Sequence, residues 1–350
     1  MADPDIRPGS DSEPTSTPQK VAVADAEGLS ERPKTFGQLA RERFFGHKLA
    51  LIGAIGLVLL VVLFLVGPMF SEWEFDQRNV RDRKQGPSAE HWFGTDEIGR
   101  DLFVRTAQGG WYSMQIGVIA AFVATTVGTV LGALAGYFGK LWDIVVTNLV
   151  NLILTVPALI VLSVFANKYG AGKWGLALVL AGLLWTRIAR VVRGVILSIK
   201  EQEYILAAKA AGASHARILA RHLLPNVMGA IAVEITLLVG SVIVLESTLS
   251  FLGLGVKPPN ASLGTLVRDA KGDIDSDPLR VLTPGIFIVL IVLCVNFLGD
   301  GLRDALDPRA AGADSKETQQ VKKAAKKARK QMPKASAHNT AGARADRTSS

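Results

Sequence analysis

The chain has 350 residues, 49% of them hydrophobic, a formal charge of +8 and one cysteine. That cysteine, Cys294, falls inside an apolar run, which excludes a disulfide framework and a thiolate metal cluster. Several uncharged runs approach or exceed the ~18 residues that cross hydrocarbon as a helix, so a water-soluble core is excluded and a polytopic membrane protein is expected.

In chain order, residues 1–40 are polar and rich in Pro, Ser, Asp and Glu, without the short basic start of a cleaved signal peptide. They are expected to form a disordered cytoplasmic extension. Residues 41–309 hold six apolar segments: Leu49 to Val66, Met114 to Phe138, Ile144 to Ala166, Trp174 to Ile199, Val227 to Leu254 and Val281 to Leu302. Without the alternation of barrel strands, all six are expected to be transmembrane helices, giving an all-α fold. Residues 310–350, with "KKAAKKARKQMPK", read as a disordered basic tail beside anionic lipid rather than a nucleic-acid surface. Lys and Arg collect before the first segment, between the fourth and fifth, and after the sixth. That bias places both termini in the cytoplasm.

Polar and small residues inside the spans carry further expectations. Gly128, Gly132 and Gly136 recur every four residues and offer a neighbouring helix close approach. Pro157 removes a backbone donor and should kink the third segment, where Asn148 and Asn151 are expected to bond across helices or line a path. Arg187, Arg190 and Arg193 lie on one side of the fourth segment, where long side chains can reach toward an interface. Glu234 and Glu246, about 120° apart on the fifth, are expected to pair with polar groups of neighbouring helices or to face a path.

The stretch "EYILAAKAAGASHARILARHLLPN", Glu203 to Asn226, interrupts this apolar pattern. Strong helix formers run to Ala211, Gly212 offers a left-handed stop, Ser214 is a candidate N-cap, and Pro225 marks re-entry into the bilayer. Two short helices on the membrane surface are expected, with Ala207, Ala208, Ala210, Ala211 and Ala213 small and Lys209, Arg217 and Arg221 cationic. On composition alone, this is equally an amphipathic connector resting on headgroups.

Ala207, Ala208, Gly212, Leu224 and Pro225 match in spacing the coupling loop that the stretch resembles, that of ATP-binding-cassette (ABC) importer permeases. Leu206 stands where that family usually has Glu, and His222 where it usually has Ile. "HWFGTDEIGRDLF", His91 to Phe103, and "LESTLSFLGLGVKPP", Leu245 to Pro259, are similar to signatures of the dipeptide, oligopeptide and nickel permease subfamily. The resemblance implies coupling through Glu203, Ala207, Ala208, Gly212, Ala213, Arg217, Leu224 and Pro225. It also implies an extracytoplasmic loop built on Gly94, Thr95, Asp96, Gly99, Arg100 and Asp101. The partners implied are a second permease, two ATPase subunits or domains, and an extracytoplasmic substrate-binding protein, in a bacterial cytoplasmic membrane.

His91, Asp96, Glu97 and Asp101 lack a recognised metal-ligand spacing, and Gly94 and Gly99 favour a tight turn. No phosphate-binding loop is present: "GALAGYFGK" has the wrong spacing. The chain is therefore expected to be no enzyme and to bind no cofactor, ATP and Mg belonging to the ATPase partners. Two other classes account for part of the sequence: a gradient-driven transporter using Glu234 or Glu246, and a scaffold recruiting partners through the tail. An importer of nickel chelates or glutathione is the alternative within the family.

Overall fold

The computed structural model describes residues 36–169 and 172–306, which are helical apart from loops and one isolated antiparallel bridge between Thr95 and Asp101. The basic tail expected over 310–350 lies outside them, as does all but the end of the N-terminal extension, where helix α1 (Phe36–Gly46) begins. α2 (Lys48–Val66) follows at once, its N-cap His47 accepting a hydrogen bond from the Ala50 amide at 3.1 Å. Among the described residues, five helical segments are long and apolar enough to span: Lys48–Phe70, Leu102–Phe138, Gly172–Ile199, His215–Phe251 and Leu279–Leu306.

Three expected boundaries are corrected. The second span, α3 (Leu102–Phe138), starts well before Met114, because Asp101 caps it by accepting from the Val104 amide at 2.8 Å and Arg105 is the only charge in its first turns. The third is no straight helix: α4 (Lys140–Thr155) and α5 (Ala158–Tyr169) meet at 90°. Val156, immediately before Pro157, is extended (φ −89°, ψ 135°), the conformation that a following proline ring imposes on its predecessor. The bent pair forms a sixth span only when counted together.

The third correction concerns the fifth span. After α6 (Gly172–Ile199) and α7 (Glu203–Ala210), the chain forms α8 (His215–Ile218), a π-helical turn over Leu219–Leu223, and α9 (Leu224–Phe251). These are one unbroken helix, not a surface helix followed by re-entry at Pro225. Pro225 has no N–H for the carbonyl four residues back, and the π turn, in which the Leu224 amide bonds Leu219 O, widens the helix just before the ring. α10 (Leu263–Ala270) and α11 (Leu279–Leu306) complete the described residues.

Lipid tails are as apolar as leucine, so close approach and polar contacts, rather than water exclusion, hold such helices together. α3 and α6 run against each other along the glycine stripe. A Cβ at Gly128 would stand 2.6 Å from Trp185 O, at Gly132 2.5 Å from Ala189 O, and at Gly136 3.0 Å from Ile196 Cβ. A second cluster joins α2, α9 and α11 around Phe64, Ile243, Ile291 and Val295. Gly53 brings α2 against the α11 backbone at Cys294.

Candidate functional site

The Glu203–Pro225 connection is anchored to the body by three buried side chains and by half-buried Ala213 and Leu219, and is exposed over much of its remaining length. Ile205, Ile218 and Leu223 are buried, whereas Glu203, Leu206, Ala207, Ala210, Gly212, Ala216, Arg217 and Ala220 are exposed. α7 ends in a Schellman turn: the Ala213 amide bonds Ala208 O and the Gly212 amide bonds Lys209 O, both at 3.0 Å. Gly212 takes φ +76°, which glycine adopts without the Cβ penalty. Ser214 accepts from the Arg217 amide at 3.4 Å and starts the next helix. Leu224 is half-buried and Pro225 exposed where that helix enters the body.

The connection also docks on the end of α3. Tyr137 Oη lies 2.8 Å from His215 Nδ1, and both Tyr137 and Phe138 make ring contacts with His215. Lys209 Nζ sits 5.8 Å over the Tyr137 ring. Lys200 Nζ donates to Gly136 O at 3.1 Å, closing the far side of the same junction. Sequence reasoning missed this clamp, although an adjacent Tyr and Phe at the end of an apolar run is the signature of an interfacial anchor.

At the opposite end, residues 71–101 form an ordered loop. His91 and Asp101 are both buried, with His91 Nδ1 2.8 Å from Asp101 Oδ2, and the same carboxyl caps α3. Asp96 accepts from the Arg100 backbone amide at 2.9 Å and its side chain at 2.6 Å. Thr95 Oγ1 donates to Asp82 O and accepts from the Gln85 amide at 3.0 Å. Gly94 and Gly99 both have positive φ, and a Cβ on Gly99 would collide with Asn79 O.

The loop is tied to the start of α11, which the sequence did not signal. Asp273 accepts from Lys84 at 2.9 Å and from Arg280 at 2.7 Å. Those two cations, Lys84 foremost, hold the Asp273 carboxyl below the usual carboxylate range, and the bonds to Asp273 and Glu97 raise Lys84.

The polar residues within the spans separate into distinct roles. Asn148 and Asn151 are exposed on α4, and among the described residues no side-chain bond joins them to another helix, which leaves the path-lining alternative for them. The three arginines of α6 do not act together: Arg187 pairs with Glu234 at 2.9 Å, Arg193 makes a bidentate pair with Asp143, and Arg190 is exposed. Glu246 is buried and accepts from Ser113 (3.0 Å), Ser250 (2.6 Å) and Ser247 (3.4 Å). Ser113 in turn accepts from the Leu263 amide at 3.2 Å, so this knot joins α3, α9 and α10.

The arrangement is thus a spanning bundle with an exposed, rigidly mounted surface at one end and a pinned loop at the other. Residues 128–312 match the family described as binding-protein-dependent transport system inner membrane component, and residues 35–87 the N-terminal TM domain of oligopeptide transport permease C. The chain is 37% identical over 292 residues to the oligopeptide transport system permease protein OppC of Bacillus subtilis (strain 168), covering 83% of this chain and 96% of that one. It is 39% identical over 286 residues to the dipeptide transport system permease protein DppC of the same organism, covering 81% and 89%. Among solved structures, it is similar to an inward-facing MetNI methionine ABC transporter chain at TM-score 0.48 and 19% identity, over 58% of this chain and 96% of that one. Matched by the family description over more than half its length and by permease relatives over most of it, the chain belongs to the inner-membrane permease components of ABC importers.

Proposed function

We propose that this chain is one of two homologous permease subunits in a bacterial ATP-driven importer of short peptides, and that it couples transport to ATP hydrolysis through Glu203 to Pro225. The observation that carries the coupling reading is the exposed face of Leu206, Ala207, Ala210, Ala216 and Ala220, mounted on buried Ile205, Ile218 and Leu223. Small side chains let a groove on a partner close on that face, and the buried anchors stop the helix from yielding when pushed. The partner is one of two ATPase subunits, which bind ATP and Mg. Exposed Arg217 and Arg221 support a cytoplasmic side for this end, and with it for both termini. The pinned loop of residues 71–101 then faces an extracytoplasmic binding protein that delivers substrate.

Peptides are favoured over nickel chelates or glutathione by the relatives, which are oligopeptide and dipeptide permeases. The gradient-driven alternative loses its candidate at Glu246, which is enclosed by serine hydroxyls. The test is mild-detergent purification of the tagged chain from its native membrane, comparing wild type with Ala207→Trp. Wild type should bring down an ATPase and a second permease, and Ala207→Trp the permease alone. Wild type that transports peptides yet purifies without an ATPase would overturn the reading.

A further inference from the structure

Arg187 stands midway along α6, about 18 Å from the Ile199 end at 1.5 Å per residue. Its side chain is 46% exposed, an expensive position if the exposed face met lipid. It meets a concavity instead: a cavity of about 830 Å³, bounded by α6, α9 and α11, runs from the Arg187–Glu234 pair to Pro225, Asn226 and Arg303 near the coupling connection. Its remaining wall includes Val191, Val195 and Leu237. Arg187 and Glu234, 2.9 Å apart and separated along a largely apolar wall from Arg303 and Asn226, form a minimal recognition pair for a solute that carries both charges.

We propose that the Arg187–Glu234 pair is a binding site for zwitterionic peptide ends on the inner half of the translocation path. An entering peptide replaces the internal ion pair: its carboxylate takes Arg187 and its ammonium takes Glu234. The exchange conserves charge and leaves neither side chain bare, and the pair re-forms once the peptide has left. The flanking valines and leucines accept side chains without polar demands, so the site selects for the peptide's ends and not for its sequence. This inference rests on the peptide-importer reading.

The test bypasses selection by the binding protein. The complete permease–ATPase complex in nanodiscs, without binding protein, is subjected to equilibrium dialysis against radiolabelled dialanine or its N-acetylated, C-amidated form. Wild type should bind the zwitterion at least about tenfold more tightly than the blocked peptide. Arg187→Gln and Glu234→Gln should each abolish that preference by weakening binding of the zwitterion to the level of the blocked peptide. The exchanged variant Arg187→Glu/Glu234→Arg controls for folding, because it keeps an ion pair, and its melting temperature should match wild type. Equal binding of the two peptides by wild type, or an unchanged preference in both single variants, overturns the proposal. A complex that takes up no peptide with ATP and binding protein refutes the peptide reading itself; one that takes up peptides without charge discrimination at the cavity refutes only this site.

Discussion

Replacing Gly132 with alanine tests whether the glycine stripe sets the spacing of α3 and α6. A Cβ there would stand 2.5 Å from Ala189 O and 3.0 Å from Ala189 Cα, and those are backbone atoms that no rotamer change can remove. The helices must separate, an overpacking that costs about 3 kcal/mol at the severe end of such substitutions. Alanine returns about 1 kcal/mol through its better helix propensity, leaving a net loss of about 2 kcal/mol. At ~2–4 °C per kcal/mol for a domain of this size, the melting temperature in detergent should fall by about 4–8 °C. Gly182→Ala is the matched control, since nothing lies within 4 Å of its added Cβ and the residue sits inside α6. It should melt at or slightly above wild type. If Gly132→Ala melts no lower than Gly182→Ala, close approach at the stripe is not what holds this pair of helices.

Glu246→Ala should lower the melting temperature more than Glu234→Ala, because it strands the Ser113 and Ser250 hydroxyls in a buried site at a cost of about 1–3 kcal/mol. Gly99→Ala should leave the bundle folded but make residues 71–101 sensitive to trypsin, since the new Cβ collides with Asn79 O at a backbone φ of +79°. The depressed Asp273 carboxyl contributes stability that is present above the ordinary aspartate value and disappears as pH falls through its lower, folded value. Raised Lys84 retains its contribution until pH climbs above the ordinary lysine value. The near-ultraviolet circular dichroism of the loop should therefore be flat across neutral pH and lost in acid, and Asp273→Asn should remove the acid transition.

The spans were legible because unbroken apolar length is a strong and local signal: the segments expected near residues 49–66, 174–199 and 281–302 fall inside observed helices. Their ends were not, where a cap or a proline decides. Asp101 extends α3 outward by accepting one amide bond, and Pro225, expected to divide two elements, is absorbed by a π turn within one. The helix–turn–helix shape at Gly212 could be read from glycine and serine chemistry, which acts over a few residues. What that shape rests on could not, since Tyr137 and His215 meet across 78 positions. Pairing partners were hidden for the same reason: Glu234 finds Arg187 across 47 positions and Lys84 finds Asp273 across 189.

The unbroken helix from His215 to Phe251 is 37 residues long, about 55 Å from end to end. Its near end carries exposed Ala216 and Ala220 and its far end the Glu246 knot that grips α3 and α10. Such a rod acts as a lever: a tilt of about 5° at the near end sweeps the far end through roughly 5 Å. Because the bonds around Glu246 fasten that far end to α3 and, through Ser113, to α10, the sweep would strain both contacts and carry the stroke to the opposite end of the bundle. Under the proposed coupling, a small tilt imposed at one surface would thus become a displacement of several ångströms at the other.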